Sequence, residues 1–368
     1  MHTGQRVVVR EYGETPLDAV EHYLELVEQP PPATSELGAR DIVVAVKSAA
    51  VGWVDLLMSS GQYQHMVEPP YTPGLEYAGE IVWTGAEVNR VAVGDRVMAD
   101  GFYVGPRSLG AYQKWGGFAS YAVAPEDGVI PLSARLSFDQ GASLLGNYET
   151  AYHALIHRGR LQKGETALIH GASGSTGLAA VHVAKLVGAK VIATGRSTEK
   201  LAVVEAEGAD HVIPTADESG GVRRFRDDVK ALTGGEGVDV VYDSVGGDIS
   251  LESLGCVRFG ARFIIVGWAA TPFVARGKGQ RGAPNANVLP TNLIMMKSLD
   301  VLGSPAAISA HRDPAMRQKR LAIILDWAEQ GRITPHVAEV FPLSRIKDAM
   351  REKWQSRFVG TTVVHPDT

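Results

Sequence analysis

The stretch "ALIHGASGSTGLAAVHVAKLVGAKVIATGR", residues 167–196, decides how the rest of the chain is read. An apolar run, a glycine turn, a run with apolar residues spaced by three and four, and a second apolar run follow one another. That order marks strand, turn, helix and strand. Between the first strand and the helix lies Ala172-x-Gly174-x-x-Gly177. Glycine at 174 lets the backbone approach a pyrophosphate, and glycine at 177 lets helix and strand pack closely; Ala172 stands where the first glycine of the usual dinucleotide fingerprint would be. The backbone N–H groups from Ala172 through Ser173, Gly174, Ser175, Thr176 and Gly177 lie at the positive end of the helix dipole. They are the expected cradle for phosphates.

The end of the second strand selects between nucleotides. An acidic side chain there would bond an unphosphorylated ribose, but the sequence reads "ATGRSTEK". Arg196, Ser197 and Lys200 occupy the region of a 2′-phosphate, with Glu199 among them. A guanidinium fork pairs well with phosphate oxygens, so the cofactor expected is NADPH. The alternative for these residues is a solvated basic turn. Pro214 and Thr215, after "GADHVI", add no second phosphate ligand.

At 368 residues the chain fits two domains, since single cores seldom grow much past roughly 250 residues. A net charge of −5 gives no broad field for nucleic acid or an anionic membrane. The N-terminal "MHTGQRVVVREYG" lacks the apolar segment of a secretory signal, and no run approaches the roughly 18 apolar residues of a membrane span, so the expected location is the cytoplasm. Cys256 is the sole cysteine, which excludes an internal disulfide and a cysteine-based structural zinc site.

Short β-type runs separated by Gly and Pro fill residues 6–130: "RVVVR", "DIVVAVKSAAV", "YAGEIVWTG", "DRVMA" and "FASYAVAP". They indicate an antiparallel, barrel-like domain. From about residue 143 β runs ("TALIH", "KVIAT", "DHVI", "VDVVYDSV", "RFIIVG", "LDVLG") alternate with helical runs, including "RRFRDDVKALTG". That alternation indicates a doubly wound parallel sheet. A helical stretch, "MRQKRLAIILDWAEQG", follows, and a last β run, "GTTVVHP", would let the chain finish in the first domain.

Taken together, "PGLEYAGEIVWTGAEVNRVAVGDRVMA", "GGFASYAVAPEDGVIPL", "TAYHAL", "HGASGSTGLAAVHVAKLVGA", "VDVVYDSVGG", "FGARFIIVGWA" and "LDWAEQGRITPHVAEVFPLSRIKDAM" resemble the medium-chain dehydrogenase/reductase superfamily, in particular its zinc-free quinone oxidoreductase branch. The resemblance covers nearly the whole length. It implies an α/β protein with a GroES-like, mostly-β catalytic domain at 1–142, completed by 306–368, and a Rossmann cofactor domain at 143–305. A homodimer is implied as well. The zinc-dependent alcohol dehydrogenases of the superfamily use a Cys and a His as metal ligands and four cysteines for a structural zinc, which one cysteine cannot supply. No metal is therefore expected.

"VGWVDLLMSSGQYQ" resembles the family's active-site stretch, Asn-x-x-Asp followed by Arg-x-Gly-x-Tyr. Asp55, Gly61 and Tyr63 match, whereas Gly52 replaces the asparagine and Ser59 the arginine. The resemblance assigns Asp55 and Tyr63 to the catalytic set. Tyr63 would donate a proton or hydrogen bond to a developing enolate, or only shape the pocket by packing. It also assigns to the cofactor Thr150, the turn Ser244, Val245 and Gly246, and the turn Val266 and Gly267. Gly52, Trp53 and Tyr63 belong to the expected substrate pocket.

Two features are peculiar to this chain. "DGFYVGPRSLGAYQKWGG" is an aromatic-rich insertion whose Tyr103, Tyr112 and Trp115 would wall the pocket or form a packed surface flap. Arg276, Lys278 and Arg281 would meet a phosphate or carboxylate on the substrate, or be solvated. His170 reads as a packed or capped histidine, His153 and His157 have no evident third metal ligand, and Cys256 reads as packing. The expected activity is zinc-independent, NADPH-dependent hydride transfer to a quinone or the activated C=C bond of an α,β-unsaturated carbonyl. The alternatives are an enoyl-CoA reductase and a non-catalytic NADPH-binding protein. The expected partner is a small-molecule substrate, with neither nucleic acid nor membrane.

Overall fold

The computed structural model describes residues 1–366 except 272–273, 275–276, 278–279 and 281. The chain divides into two compact units: Met1–Leu145 with Ala275–Gly282 and Thr334–Thr368, and Gly146–Val274 with Ala283–Ile333. Residues 306–333 thus group with the second unit, not with the first, where the sequence reading puts them. The Pro314–Glu329 helix buries Arg317 and Arg320 against Glu149 of that unit, in bonds of 2.8 and 2.6 Å. Such a pairing between residues about 170 positions apart leaves no trace in local periodicity.

The first unit is built on β1 (Gly4–Val9), β2 (Leu24–Gln29), β3 (Asp41–Ala50), β4 (Glu76–Thr84), β5 (Arg96–Ala99), β6 (Tyr121–Pro125) and β7 (Val129–Pro131). β1 and β2 form an antiparallel pair, and β3 pairs with both β4 and β6 in antiparallel register. The alternating apolar residues of β3 and β4, among them Ile42, Val44, Val46 and Ile81, enter a core that also takes in Leu56, Tyr77 and Phe118. The C-terminus returns to this sheet, as "GTTVVHP" indicates.

The second unit holds β8 (Thr166–Ile169), β9 (Lys190–Gly195), β10 (His211–Pro214), β11 (Val238–Asp243), β12 (Val257–Ile265) and β13 (Asp300–Gly303). All five neighbouring pairs are parallel, in the order β10-β9-β8-β11-β12-β13. Every residue of β11 is buried, as a strand covered on both faces requires. This is the doubly wound order whose direction reverses between β8 and β11, and in such sheets ligands bind beyond the strand ends at the reversal. Finally β14 (Val337–Pro342) pairs in parallel with β15 (Thr361–His365), which joins the first unit's sheet through Val363 opposite Ala50 and Val364 opposite Ala49.

Candidate functional site

The turn after β8 is tighter than the sequence pattern suggests. Its left-handed residue is Gly171, at φ 64°, one position before Ala172. A Cβ at Gly171 would lie 2.8 Å from Ser244 Oγ, so the glycine is needed both for backbone freedom and for closeness to the turn after β11. Ala172 is buried, and its N–H donates to the Thr194 carbonyl at the end of β9 (3.2 Å). It stitches strands together and leaves the cradle to Gly174 and the first turn of the Ser175–Val187 helix. Gly174 is the N-cap of that helix and supplies no side-chain cap to its first N–H groups. It is exposed, and a Cβ there would meet only the Gly171 carbonyl, at 3.3 Å. At Gly177 a Cβ would lie 2.1 Å from the same carbonyl, closer than packing allows. Gly171 and Gly177 let the turn and helix close tightly, and the exposed Gly174 leaves open backbone at the helix N-terminus, which fits a pyrophosphate.

Around it, Ser173, Ser175 and Thr176 are half-buried, and Thr176 Oγ1 donates to Asn147 Oδ1 (3.1 Å). Asn147 therefore holds the first turn of the Ser175–Val187 helix, although the sequence reading passes over it in favour of Thr150. Thr150 Oγ1 instead donates to its own helix, at the Gly146 carbonyl (2.7 Å). The turn after β11 is clamped by buried Asp243, whose Oδ1 accepts N–H bonds from Val245 and Gly246, both 2.9 Å, while Oδ2 accepts from Ser250 Oγ (2.5 Å). The Val266 and Gly267 N–H groups donate to the Asp243 carbonyl, at 2.8 and 3.2 Å. Ser244 Oγ donates to the His170 carbonyl (3.1 Å). The residues at 171–177, 244–246 and 266–267 thus form one hydrogen-bonded group at the strand ends.

Arg196 is exposed just past β9, and Ser197 caps the next helix by accepting the Lys200 N–H (3.3 Å). That bond uses an oxygen lone pair and leaves the hydroxyl proton available. Burial, then the Arg196 charge, lower the Lys200 pKa. Two cations close enough to repel form a region of positive potential where an anion is favoured. His170 is fully buried, bridging Thr194 Oγ1 and Ser253 Oγ at 2.7 Å each, and burial pushes it down to about 4. His153 stacks on His157 with centroids 5.0 Å apart, and burial, followed by the Arg320 charge, lowers it to about 4. Cys256 is buried and pushed up to about 12, chiefly by desolvation, which makes it an inert packing residue.

In the first unit, Asp55 anchors the residues that the resemblance assigns to the pocket. Its Oδ2 accepts from the Gly52 N–H (2.9 Å), and its Oδ1 from the Gly74 and Leu75 N–H groups (3.0 and 3.1 Å). Each oxygen accepts backbone N–H groups and the residue is 2 % exposed, so Asp55 holds two backbone segments together. In this arrangement Asp55 positions the backbone at Gly52, Gly74 and Leu75. Gly52 suits that role, because a Cβ there would come within 2.9 Å of Asp55 Oδ2. Burial pushes Asp55 up to about 7 and, beside it, Lys353 down to about 8, with Asp55 and Glu76 opposing the fall in Lys353. Ser59 is buried and its hydroxyl bonds the Leu56 carbonyl (2.8 Å). It does not take over an arginine's role.

Trp53 stacks on Trp354, with centroids 4.7 Å apart and planes 6° from parallel. Tyr63 is half-buried beside His65 and packs against the core of the first unit. Burial raises its pKa, while the Arg107 charge and a hydrogen bond from Gln64 oppose the rise. In the aromatic insertion, Tyr103 is 49 % exposed and Trp115 pairs with Thr72, while Tyr112 Oη donates to Asp41 Oδ1 (2.5 Å). Its phenol is therefore spent pinning the insertion to the start of β3. The structure brings out Arg107 instead, which a reading centred on aromatics overlooks. Arg276, Lys278 and Arg281 lie outside the described residues.

Family models match in both units: an alcohol dehydrogenase GroES-like domain over residues 38–134 and a zinc-binding dehydrogenase over 175–315. Quinone oxidoreductase-like protein 2 of Mus musculus is 32 % identical, over 90 % of this chain and 87 % of its own. A probable oxidoreductase of Mycobacterium abscessus superposes with a TM-score of 0.79 at 26 % identity, covering 99 % of this chain and 100 % of its own. A quinone oxidoreductase of Pseudomonas syringae pv. Tomato DC3000 superposes with a TM-score of 0.76 at 26 % identity, covering 99 % and 100 %. With a Rossmann-like parallel sheet, a GroES-like β unit and relatives of this kind across its length, the chain belongs to the medium-chain dehydrogenase/reductase superfamily, in its quinone oxidoreductase branch.

Proposed function

We propose that the protein is a zinc-independent, NADPH-dependent reductase that adds hydride to the electron-poor carbon of a quinone or of an α,β-unsaturated carbonyl compound. The observation that carries the cofactor half of this reading is the open backbone at Gly174, in a turn that Gly171 and Gly177 close, followed by Arg196, Ser197 and Lys200 past β9. Backbone N–H groups at Gly174 and in the first helical turn would hold the pyrophosphate, and the basic trio the 2′-phosphate. The turns at 244–246 and 266–267 would hold the nicotinamide ribose. The chemistry the cofactor supplies is a hydride.

The first unit would handle the acceptor. Hydride addition to a conjugated C=C bond leaves negative charge on the carbonyl oxygen and requires a proton at the neighbouring carbon. A phenol keeps its proton at neutral pH, so Tyr63 suits the part of hydrogen-bond or proton donor. Asp55 fixes the backbone at Gly52, Gly74 and Leu75 around it. The zinc-independent part of the proposal rests on the single cysteine, Cys256, buried in the second unit. A homodimer and a cytoplasmic location complete it; among the described residues no helix is long and apolar enough to cross a membrane.

NADPH consumption with 1,4-benzoquinone, trans-3-penten-2-one and crotonyl-CoA tests the reading. The proposal expects turnover with the quinone or the enone. A rate confined to crotonyl-CoA would make the protein an enoyl-thioester reductase, and binding without turnover on any acceptor would make it a nucleotide-binding protein.

A further inference from the structure

Arg107, in the insertion that follows β5, is half-buried, and its Nε is shielded from solvent without a hydrogen-bond partner. No carboxylate of the described residues pairs with it. The guanidinium carbon lies 4.6 Å from the centroid of the Phe102 ring, and that cation–π contact holds its plane without using any of its donors. Space for it is made by Gly101: a Cβ there would lie 2.9 Å from Arg107 Nη2 and 3.2 Å from the Leu75 carbonyl. The cation therefore sits over the Gly74–Leu75 segment that Asp55 clamps. Its charge also reaches Tyr63. Next to it, Ser108 is 1 % exposed with its Oγ unpartnered.

Taking a guanidinium partly out of water without an acceptor is unfavourable, so an anion that reaches it offsets that cost. Its planar fork matches a carboxylate in bidentate fashion. We propose that Arg107 is the receptor for a carboxylate on the acceptor, so that this reductase selects α,β-unsaturated carbonyl compounds carrying a carboxylate close to the double bond. This rests on the reading of the Tyr63 region as the acceptor site. It makes Arg107 a specificity-determining residue that the Asn-x-x-Asp and Arg-x-Gly-x-Tyr pattern does not contain.

Two measurements separate this inference from the reductase reading. Calorimetric titration of the nucleotide-free protein with 4-oxopentanoate and 2-pentanone tests the receptor alone. The expected result is binding of the acid only, weakened at least tenfold in Arg107→Gln and less in Arg107→Lys, with the melting temperature of each variant recorded. NADPH oxidation with trans-4-oxo-2-pentenoate and trans-3-penten-2-one then compares kcat/KM for acid and neutral enone, a ratio expected to fall at least tenfold in Arg107→Gln, mainly through KM. Equal binding of the two wild-type ligands, or a ratio unmoved by Arg107→Gln, overturns the inference. Arg107-dependent binding of 4-oxopentanoate with no reduction of any acceptor would keep the receptor and sink the reductase. Should Arg107→Gln fail to fold, the wild-type comparison and Arg107→Lys still decide.

Discussion

His170 shows how a single side chain can tie the strand ends of the second unit to pH. Its imidazole is fully buried between two hydroxyls, and burial holds it down to about 4, against 6.5 when exposed. The neutral form belongs to the folded state, while the unfolded chain takes up a proton below about 6.5. The stabilisation is therefore complete above about 6.5 and is lost as pH falls toward 4. Between pH 7.5 and 5, wild type is expected to lose about 2 kcal/mol more stability than His170→Asn, which cannot titrate. Urea unfolding at the two pH values checks this. At Asp55, truncation to Ala would strand three backbone N–H groups in the interior, at a cost of about 3 kcal/mol or more in the same assay. The sequence points to Asp55 but not to its role, because the partners at 74 and 75 are brought to it only by the fold. Arg107 is harder still to read, since its interest lies in what does not pair with it.

Among the elements, the turn between β8 and its helix makes separable predictions at two glycines. Gly177→Ala would force a methyl to within 2.1 Å of the Gly171 carbonyl, so the turn must open and the melting temperature is expected to fall by several degrees. Gly174→Ala has a conformation that alanine adopts, φ −76° and ψ 161°, and nearly enough room. It is expected to melt within ~2 °C of wild type yet to bind NADPH more weakly, because the methyl stands where the pyrophosphate must approach. Scanning calorimetry and nucleotide titration of both variants separate packing from binding. The strand, turn, helix and strand were legible because periodicity and glycine spacing are local properties. Placing the left-handed residue at Gly171 was not, because that follows from the approach of Ser244 in the turn after β11.

Across the molecule, the two large sheets follow from composition that changes near residue 143, from short Gly- and Pro-bounded β runs to alternating strands and helices. What the sequence could not show is where the Pro314–Glu329 helix belongs, since that depends on Glu149 and its two arginines. Glu149→Gln would remove the buried negative charge that Arg317 and Arg320 share, and is expected to cost the second unit about 3–5 kcal/mol in urea unfolding. The second unit is proposed to hold NADPH. Calorimetric titration of NADPH and NADH into wild type and Arg196→Ala tests it most directly. An Arg–phosphate contact of about 1.5–3 kcal/mol predicts that wild type binds NADPH roughly tenfold or more tighter than NADH, and that Arg196→Ala loses this preference while its NADH affinity stays level. Equal affinities in wild type, or no binding of either nucleotide, would contradict the account.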